Sequence, residues 1–259
     1  MQQDSSKVLS TDADGAALPD PVVAVVVPVR NEADNILPLV GEIDRALGGR
    51  WPYEIIYVDD GSDDATPALL REARQRFAAL RVVRHRSSCG QSQAVATGVK
   101  SARAAYIATL DGDGQNDPAD IPSLLERLLA ETPAERHRLL IAGHRRRRQD
   151  SPLRLLSSRI ANGIRARLLG DATPDTGCGL KVFSREAFLD MPRFDHMHRF
   201  LPALMIRRGG RVVSVPVNHR PRQRGQSKYG VWNRLWVGIV DLFGVMWLQR
   251  RARLPQIED

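Results

Sequence analysis

Cysteine is scarce in this 259-residue chain: Cys89 and Cys178 are the only two. Both sit in Gly-flanked, loop-like contexts, so a disulfide framework is excluded, no thiol matches a metal-ligand spacing, and both are expected to be reduced, as in the cytosol. Aromatic residues make up only 5%. They do not interleave with the Arg runs, which argues against a nucleic-acid surface built on base stacking. The six histidines show no helical ligand pairing beyond the His196/His198 spacing, so no zinc site is indicated. Residues 1–20 carry neither a positive n-region nor an apolar h-region and read as a disordered leader rather than a secretory signal. No internal repeat is present. The longest apolar stretch, Val231 to Leu248, is slightly short of the roughly 20 residues a membrane span needs.

What is abundant is arginine. The formal charge of +8 and pI near 10.1 suit an anionic partner: phosphates, acidic lipid headgroups or nucleic acid. With 42% hydrophobic residues, the chain can bury the core of one large domain.

The apolar segments alternate between periods of two and 3.6 residues. Val22 to Val27, closed by Pro28, has the continuous β-branched character of a strand buried on both faces. A helix follows through Ile36, Leu39, Val40, Ile43 and Leu47 and stops at Gly48-Gly49. Further strands are predicted at Tyr53–Val58, Leu80–Arg84, Ala104–Leu110, Leu139–Ala142, Gly179–Ser184 and Val212–Val217. Further helices are predicted from Thr66-Pro67 to Phe77, at Ser92–Ala102, Ile121–Leu129 and Leu153–Leu169. Right-handed βαβ connections would gather the first four strands into one parallel sheet with ligand-binding loops at their carboxyl ends. Arg30-Asn31-Glu32, Asp59-Asp60 and Asp111/Asp113 would meet there.

Asp111 and Asp113, in Tyr106-Ile-Ala-Thr-Leu-Asp-Gly-Asp-Gly-Gln115, form the most informative pair. Two carboxylates delivered to one spot by an apolar strand disfavour each other's ionisation, whereas a divalent cation keeps both charged and grips a diphosphate through hard oxygens. An EF-hand would require Gly and Glu where this chain has Asn116 and Pro122.

Four motifs together, Pro28-Val-Arg-Asn-Glu32, Asp59-Asp-Gly-Ser62, Asp111-Gly-Asp-Gly-Gln115 and Arg222-x-x-Gly225-x-Ser-Lys-Tyr229, resemble the polyprenyl-phosphate hexosyltransferases. These are the dolichol-phosphate mannosyltransferase-like branch of inverting family 2 glycosyltransferases. The resemblance covers about Val22 to Tyr229. It implies an α/β, GT-A (Rossmann-like), mostly parallel sheet flanked by helices, with residues 21–218 as catalytic domain and 219–259 as acceptor loop and amphipathic helix. By the same resemblance Pro28, Arg30 and Glu32 border a nucleotide diphosphate sugar, and Asp59 or Asp60 contacts its base or ribose. Asp111, Asp113 and Gln115 would hold Mg2+ or Mn2+. A haloacid-dehalogenase-type phosphatase, which shares the opening Asp-x-Asp, calls for Thr or Val where Gln115 stands.

On the acceptor side the resemblance points to Asp175 as base or acceptor-orienting residue, and to Arg199 as a catalytic partner. For the phosphate of a polyprenyl phosphate it points to Arg145, Arg148, Arg220, Arg222, Ser227 and Lys228, since guanidinium donates two parallel hydrogen bonds to phosphate. That phosphomonoester has a second pKa of about 6 and can attack without a base.

Plainer readings stand beside these. Asp59-Asp60-Gly61-Ser62 is also a helix-capping turn, Asp111/Asp113 a solvated acidic turn, Arg145 to Arg148 a solvated charge run, and Asp175 a loop acid. Between Val231 and Leu248, Asn233, Arg234, Gly238, Asp241 and Gly244 recur at helical spacing as a narrow polar stripe. That pattern predicts an amphipathic helix lying in a membrane interface, with Trp232, Trp236 and Trp247 as anchors or as core. Arg250, Arg251 and Arg253 would each add about 1 kcal/mol at an anionic leaflet. The expected location is therefore the cytoplasmic face of the inner (plasma) membrane, peripheral or monotopic, or docked onto a small integral-membrane partner. The rivals are a glycosyltransferase with a polysaccharide or protein acceptor, and a non-catalytic basic phosphate- or RNA-binding module with strong salt dependence.

Overall fold

The computed structural model describes residues 20–145, 163, 165–221 and 231–253, with backbone alone for 231–237. The expected leader, Arg148 within its basic run, most of the helix expected at Leu153–Leu169, and Arg222, Ser227 and Lys228 lie outside the described residues, as do the side chains of Trp232 and Trp236.

Each predicted strand forms, and seven join in one sheet: β1 (Val23–Val29), β2 (Tyr53–Asp59), β3 (Leu80–Arg84), β4 (Tyr106–Thr109), β5 (Leu139–Arg145), β6 (Lys181–Ser184) and β7 (Arg211–Val217). Their spatial order is β3-β2-β1-β4-β6-β5-β7. β1 runs past Pro28 because its pairing with β4 ends at Val26, so the missing proline N–H leaves no ladder bond unmade on that side.

The sheet is mostly parallel, as expected, with one strand reversed. β6 lies antiparallel between β4 and β5, while the other neighbouring strands pair in parallel. The long connection from β5 returns to the sheet at the same edge it left, so β6 must run back through it. As a result, the residues just before β6 arrive at the carboxyl ends of β4 and β5.

Side chains alternate between the two faces. Val23, Val25, Val27 and Val29 pack with α1 (Ile36–Leu47), α2 (Thr66–Arg76) and α4 (Ile121–Leu129); Ala24 and Val26 pack with α3 (Gln91–Ser101). The helical spacing of Ile36, Leu39, Val40, Ile43 and Leu47 puts all five inside the first cluster. A short helix α5 (Pro133–Arg136) precedes β5, and helical residues 165–169 (α6) follow it. The second face is completed by α7 (Arg185–Leu189), α8 (Leu201–Arg207) and α9 (Val231–Arg250).

α9 turns part of its polar stripe toward the domain. Asp241 pairs with His196 at 3.2 Å and Val245 is fully buried, whereas Val240, Phe243 and Trp247 stand exposed. Its described outer face is apolar. Arg207 donates to the Leu248 carbonyl at 3.0 Å and Gln249 to the Leu169 carbonyl at 2.8 Å, fastening the helix to the domain. No helix among the described residues is long and apolar enough to cross a membrane.

Candidate active site

The carboxyl ends of β1, β2, β4 and β5 meet the turn that precedes β6. At the end of β1, Asn31 adopts a positive φ of 54°, a conformation Asn tolerates, and its amide bonds the Ser62 hydroxyl at 2.9 Å. The Glu32 N–H donates to Thr66 Oγ1 at 2.9 Å and its carboxylate accepts from Asn35 at 2.8 Å, so Arg30 and Glu32 lie on a braced turn.

Asp59 and Asp60 are buried and bonded inward. Asp59 accepts from the Ser62 amide at 2.9 Å and lies 3.0 Å from Arg84 Nε. Asp60 accepts from Ser88 Oγ (2.7 Å) and from the amides of Cys89 (2.8 Å) and Gly90 (2.9 Å), and its carboxylate meets His85 Nδ1 at 2.7 Å. Burial pushes its pKa up, but the Cys89 amide, His85, Ser88 and the Gly90 amide outweigh it and hold the carboxyl below the usual range. Asp60, His85 and Cys89 form a grouping of ligand-type atoms within 4.8 Å of one another. Its hydrogen bonds are already made: both Asp60 oxygens are in use, and His85 Nε2 meets Thr97 Oγ1 at 2.9 Å. The motif is thus a turn stitched to the loop before α3, and it gives neither α2 nor α3 a side-chain cap.

Asp111 lines a cavity of about 260 Å³ together with Pro28, Gln91, Thr109, Lys181, His198 and Arg199. Gln91 Nε2 donates to its carboxylate at 2.8 Å. Withdrawal from water, and after it the charge of Asp113, push the Asp111 carboxyl up to about 6, against the pull of Lys181, Gln91 and Arg145. Burial is the larger cause and the neighbouring carboxylate the second. Gly179 makes room for the Asp111 carboxylate, which a Cβ there would overlap. Asp113 faces a second cavity, also about 260 Å³, bounded by Asn35, Glu42, Gly114 and Arg220. Its carboxylate accepts from the Gln115 amide at 3.1 Å.

Asp175 is 2% exposed and forms a two-pronged ion pair with Arg145, Nε to Oδ2 at 2.6 Å and Nη2 to Oδ1 at 2.8 Å. Although burial lowers the Arg145 pKa, the Asp175 pair more than reverses it, so the guanidinium is held charged. Lys181, missed by sequence reasoning, is buried at the cavity floor and donates to the carbonyls of Thr176 (3.3 Å) and Cys178. His198, which also lines this cavity, is driven down to about 3 by burial and by nearby Arg199, Lys181 and His196, so its ring is neutral. Both arrive only because β6 inserts antiparallel and a short turn, Met197–Arg199, closes over α3, where Ser92 Oγ meets His198 Nδ1 at 2.8 Å. Arg220 is drawn to Glu42 (2.6 Å) and Asp117 (2.7 Å) instead of the first cavity.

Residues 24–191 match the family model "Glycosyl transferase family 2". A dodecaprenyl-phosphate galacturonate synthase of Rhizobium johnstonii is 38% identical over 248 residues, 91% of this chain and 71% of the relative. An undecaprenyl-phosphate 4-deoxy-4-formamido-L-arabinose transferase of Edwardsiella ictaluri is 35% identical over 81% of this chain, which spans 63% of that relative's length. Among solved structures, a glucosyl-3-phosphoglycerate synthase of Mycobacterium tuberculosis with Mn2+, UDP and glucosyl-3-phosphoglycerate superposes with a TM-score of 0.66 at 17% identity, over 91% of this chain and 81% of that one. A mannosyltransferase of Pyrobaculum calidifontis with GDP-Man and Mn2+ gives 0.62 at 20% identity, over 92% and 66%. The likeness in fold extends the likeness in sequence across the whole sheet, and on the family match and the galacturonate-synthase relative the chain belongs to the family 2 glycosyltransferases.

Proposed function

We propose that this enzyme transfers a glycosyl group, with inversion, from a nucleotide diphosphate sugar to a polyprenyl phosphate at the cytoplasmic face of the membrane. The observation that carries the reading is the Asp111 carboxylate, buried within the electrostatic reach of Asp113 and Arg145, in a cavity that Arg199 also lines. Its support from comparison is the polyprenyl-phosphate chemistry in the names of the relatives.

The donor set suits a hard divalent ion: carboxylate oxygens of Asp111 and Asp113 and the amide oxygen of Gln115, with burial and the Asp113 charge holding the Asp111 carboxyl above its ordinary range until a cation offsets them. Mg2+ or Mn2+ held there would neutralise the diphosphate as it leaves. Pro28, Arg30 and Glu32 border the nucleotide, with the braced Asp59-Asp60 turn shaping its pocket through backbone groups.

Arg145 and Arg199 orient the acceptor phosphate, with Arg148, Arg222, Ser227 and Lys228 proposed beside them. A phosphate oxygen attacks the anomeric carbon in line, the bond from that carbon to the diphosphate oxygen breaks, and the electron pair leaves with the nucleoside diphosphate. Asp175 serves by aiming and charging Arg145. A carboxylate gripped by two in-plane donors is a poor proton acceptor, and an ionised phosphate needs none. The exposed Val240, Phe243 and Trp247, followed by Arg250, Arg251 and Arg253, lie against lipid or a small integral-membrane partner.

The test incubates purified protein with Mn2+, a panel of nucleotide sugars and a short polyprenyl phosphate, and measures nucleoside diphosphate release. Asp113→Ala is expected to abolish release while the fold persists by circular dichroism. Turnover at the wild-type rate in that variant would refute the assignment.

A further inference from the structure

The chain leaving β7 is sewn to the loop that carries Asp113. Asn218 donates its amide to Asp120 Oδ2 at 2.7 Å and its side-chain NH2 to Oδ1 at 3.3 Å. His219 bridges Asn116 in antiparallel fashion, and the Arg220 amide donates to the Gln115 carbonyl at 2.9 Å. The Arg220 guanidinium then spans two elements, reaching Glu42 on α1 at 2.6 Å and Asp117 at 2.7 Å.

Two carboxylates on one guanidinium leave a local excess of negative charge, which repels rather than receives a phosphate. The side chain also borders the Asp113 cavity, and that cavity shares no lining residue with the one holding Asp111. What the geometry fits is a rivet through the 113–117 loop, fixed to a helix on one side and a strand end on the other.

We propose that Arg220 is a positioning residue that sets Asp113 against Asp111, and not a ligand of the acceptor phosphate. The inference rests on the proposed metal role of those two carboxylates. Groups that brace metal ligands from behind typically govern affinity by about 10- to 100-fold.

Mn2+ binding to the full chain, followed by titration calorimetry, tests it. Arg220→Gln should weaken Mn2+ at least about tenfold, Glu42→Gln combined with Asp117→Asn should do the same, and the triple variant should add little, because all three remove one device. The acceptor KM, measured at saturating Mn2+, should stay within about twofold. Unaltered Mn2+ affinity in Arg220→Gln, or a raised acceptor KM with Mn2+ affinity intact, overturns the proposal. If Arg220→Gln fails to fold, Glu42→Gln alone, which keeps the Asp117 pair, should show a smaller weakening. Asp113→Ala serves as the control: if it binds Mn2+ like wild type, the metal assignment fails. The rivet is then judged by amide exchange over residues 113–117, which must quicken in Arg220→Gln.

Discussion

Gly179 has the most to answer for among single residues, because the space a methyl group would fill is taken by the Asp111 carboxylate. Gly179→Ala is expected to push that carboxylate aside and lower kcat about 100-fold, a typical cost of an ångström-scale misplacement, with a far smaller effect on stability. Turnover and thermal melts of the pure variant check both halves. Asp111 itself makes a pH prediction. Its carboxyl sits at about 6 against an ordinary 3.8, so the stability tied to its protonated form is complete below about pH 4 and lost as pH rises through 6. Metal-free wild type should therefore lose stability relative to Asp111→Asn between about pH 4 and pH 6, and a constant difference would contradict the shift. The paired acids could be read from sequence because an apolar strand announces where it ends. Gly179 and Lys181 could not, since their places depend on the direction in which β6 enters the sheet. Asp59 and Asp60 were legible as site residues and as turn residues alike, and their bonds show the turn.

Secondary elements with a full stripe or a β-branched run were legible almost to the residue: α1 begins and ends where its spacing says. α5, α7 and α8 are short, too brief to display a period, and went unread. α9 was read as an amphipathic helix with a narrow polar stripe, and which way that stripe faces was not legible. Tertiary contact decides it, because His196 draws Asp241 inward and leaves Val240, Phe243 and Trp247 outside. Replacing Phe243 and Trp247 by Glu should weaken partition onto anionic vesicles by roughly a hundredfold or more, since each large apolar side chain contributes about 1.5–3 kcal/mol when buried. Sedimentation with such vesicles measures it, and undiminished pelleting would assign the attachment to the Arg cluster alone.

For the molecule as a whole, ligand binding and stability are linked. UDP or GDP with Mn2+, at about 100 times its dissociation constant, should stabilise the fold by about 2.7 kcal/mol, and EDTA should remove the gain. A melt that ignores chelator would speak against a metal-dependent site. The architecture was legible as a mostly parallel α/β sheet with its loops at one edge; which strand is reversed was not, because pattern fixes that a segment is a strand but not which way it runs.

The mixed sheet also has a consequence for how the protein is made. β1 to β4 are adjacent in sequence and complete a four-stranded parallel half, yet one flank of β4 finds its neighbour only when Lys181–Ser184 emerge and slot between it and β5. Throughout that interval of translation a nascent chain displays a bare apolar margin, the kind of template on which neighbouring polypeptides aggregate. Lesions that delay the insertion would betray themselves first as inclusion bodies, before any defect in turnover could be assayed.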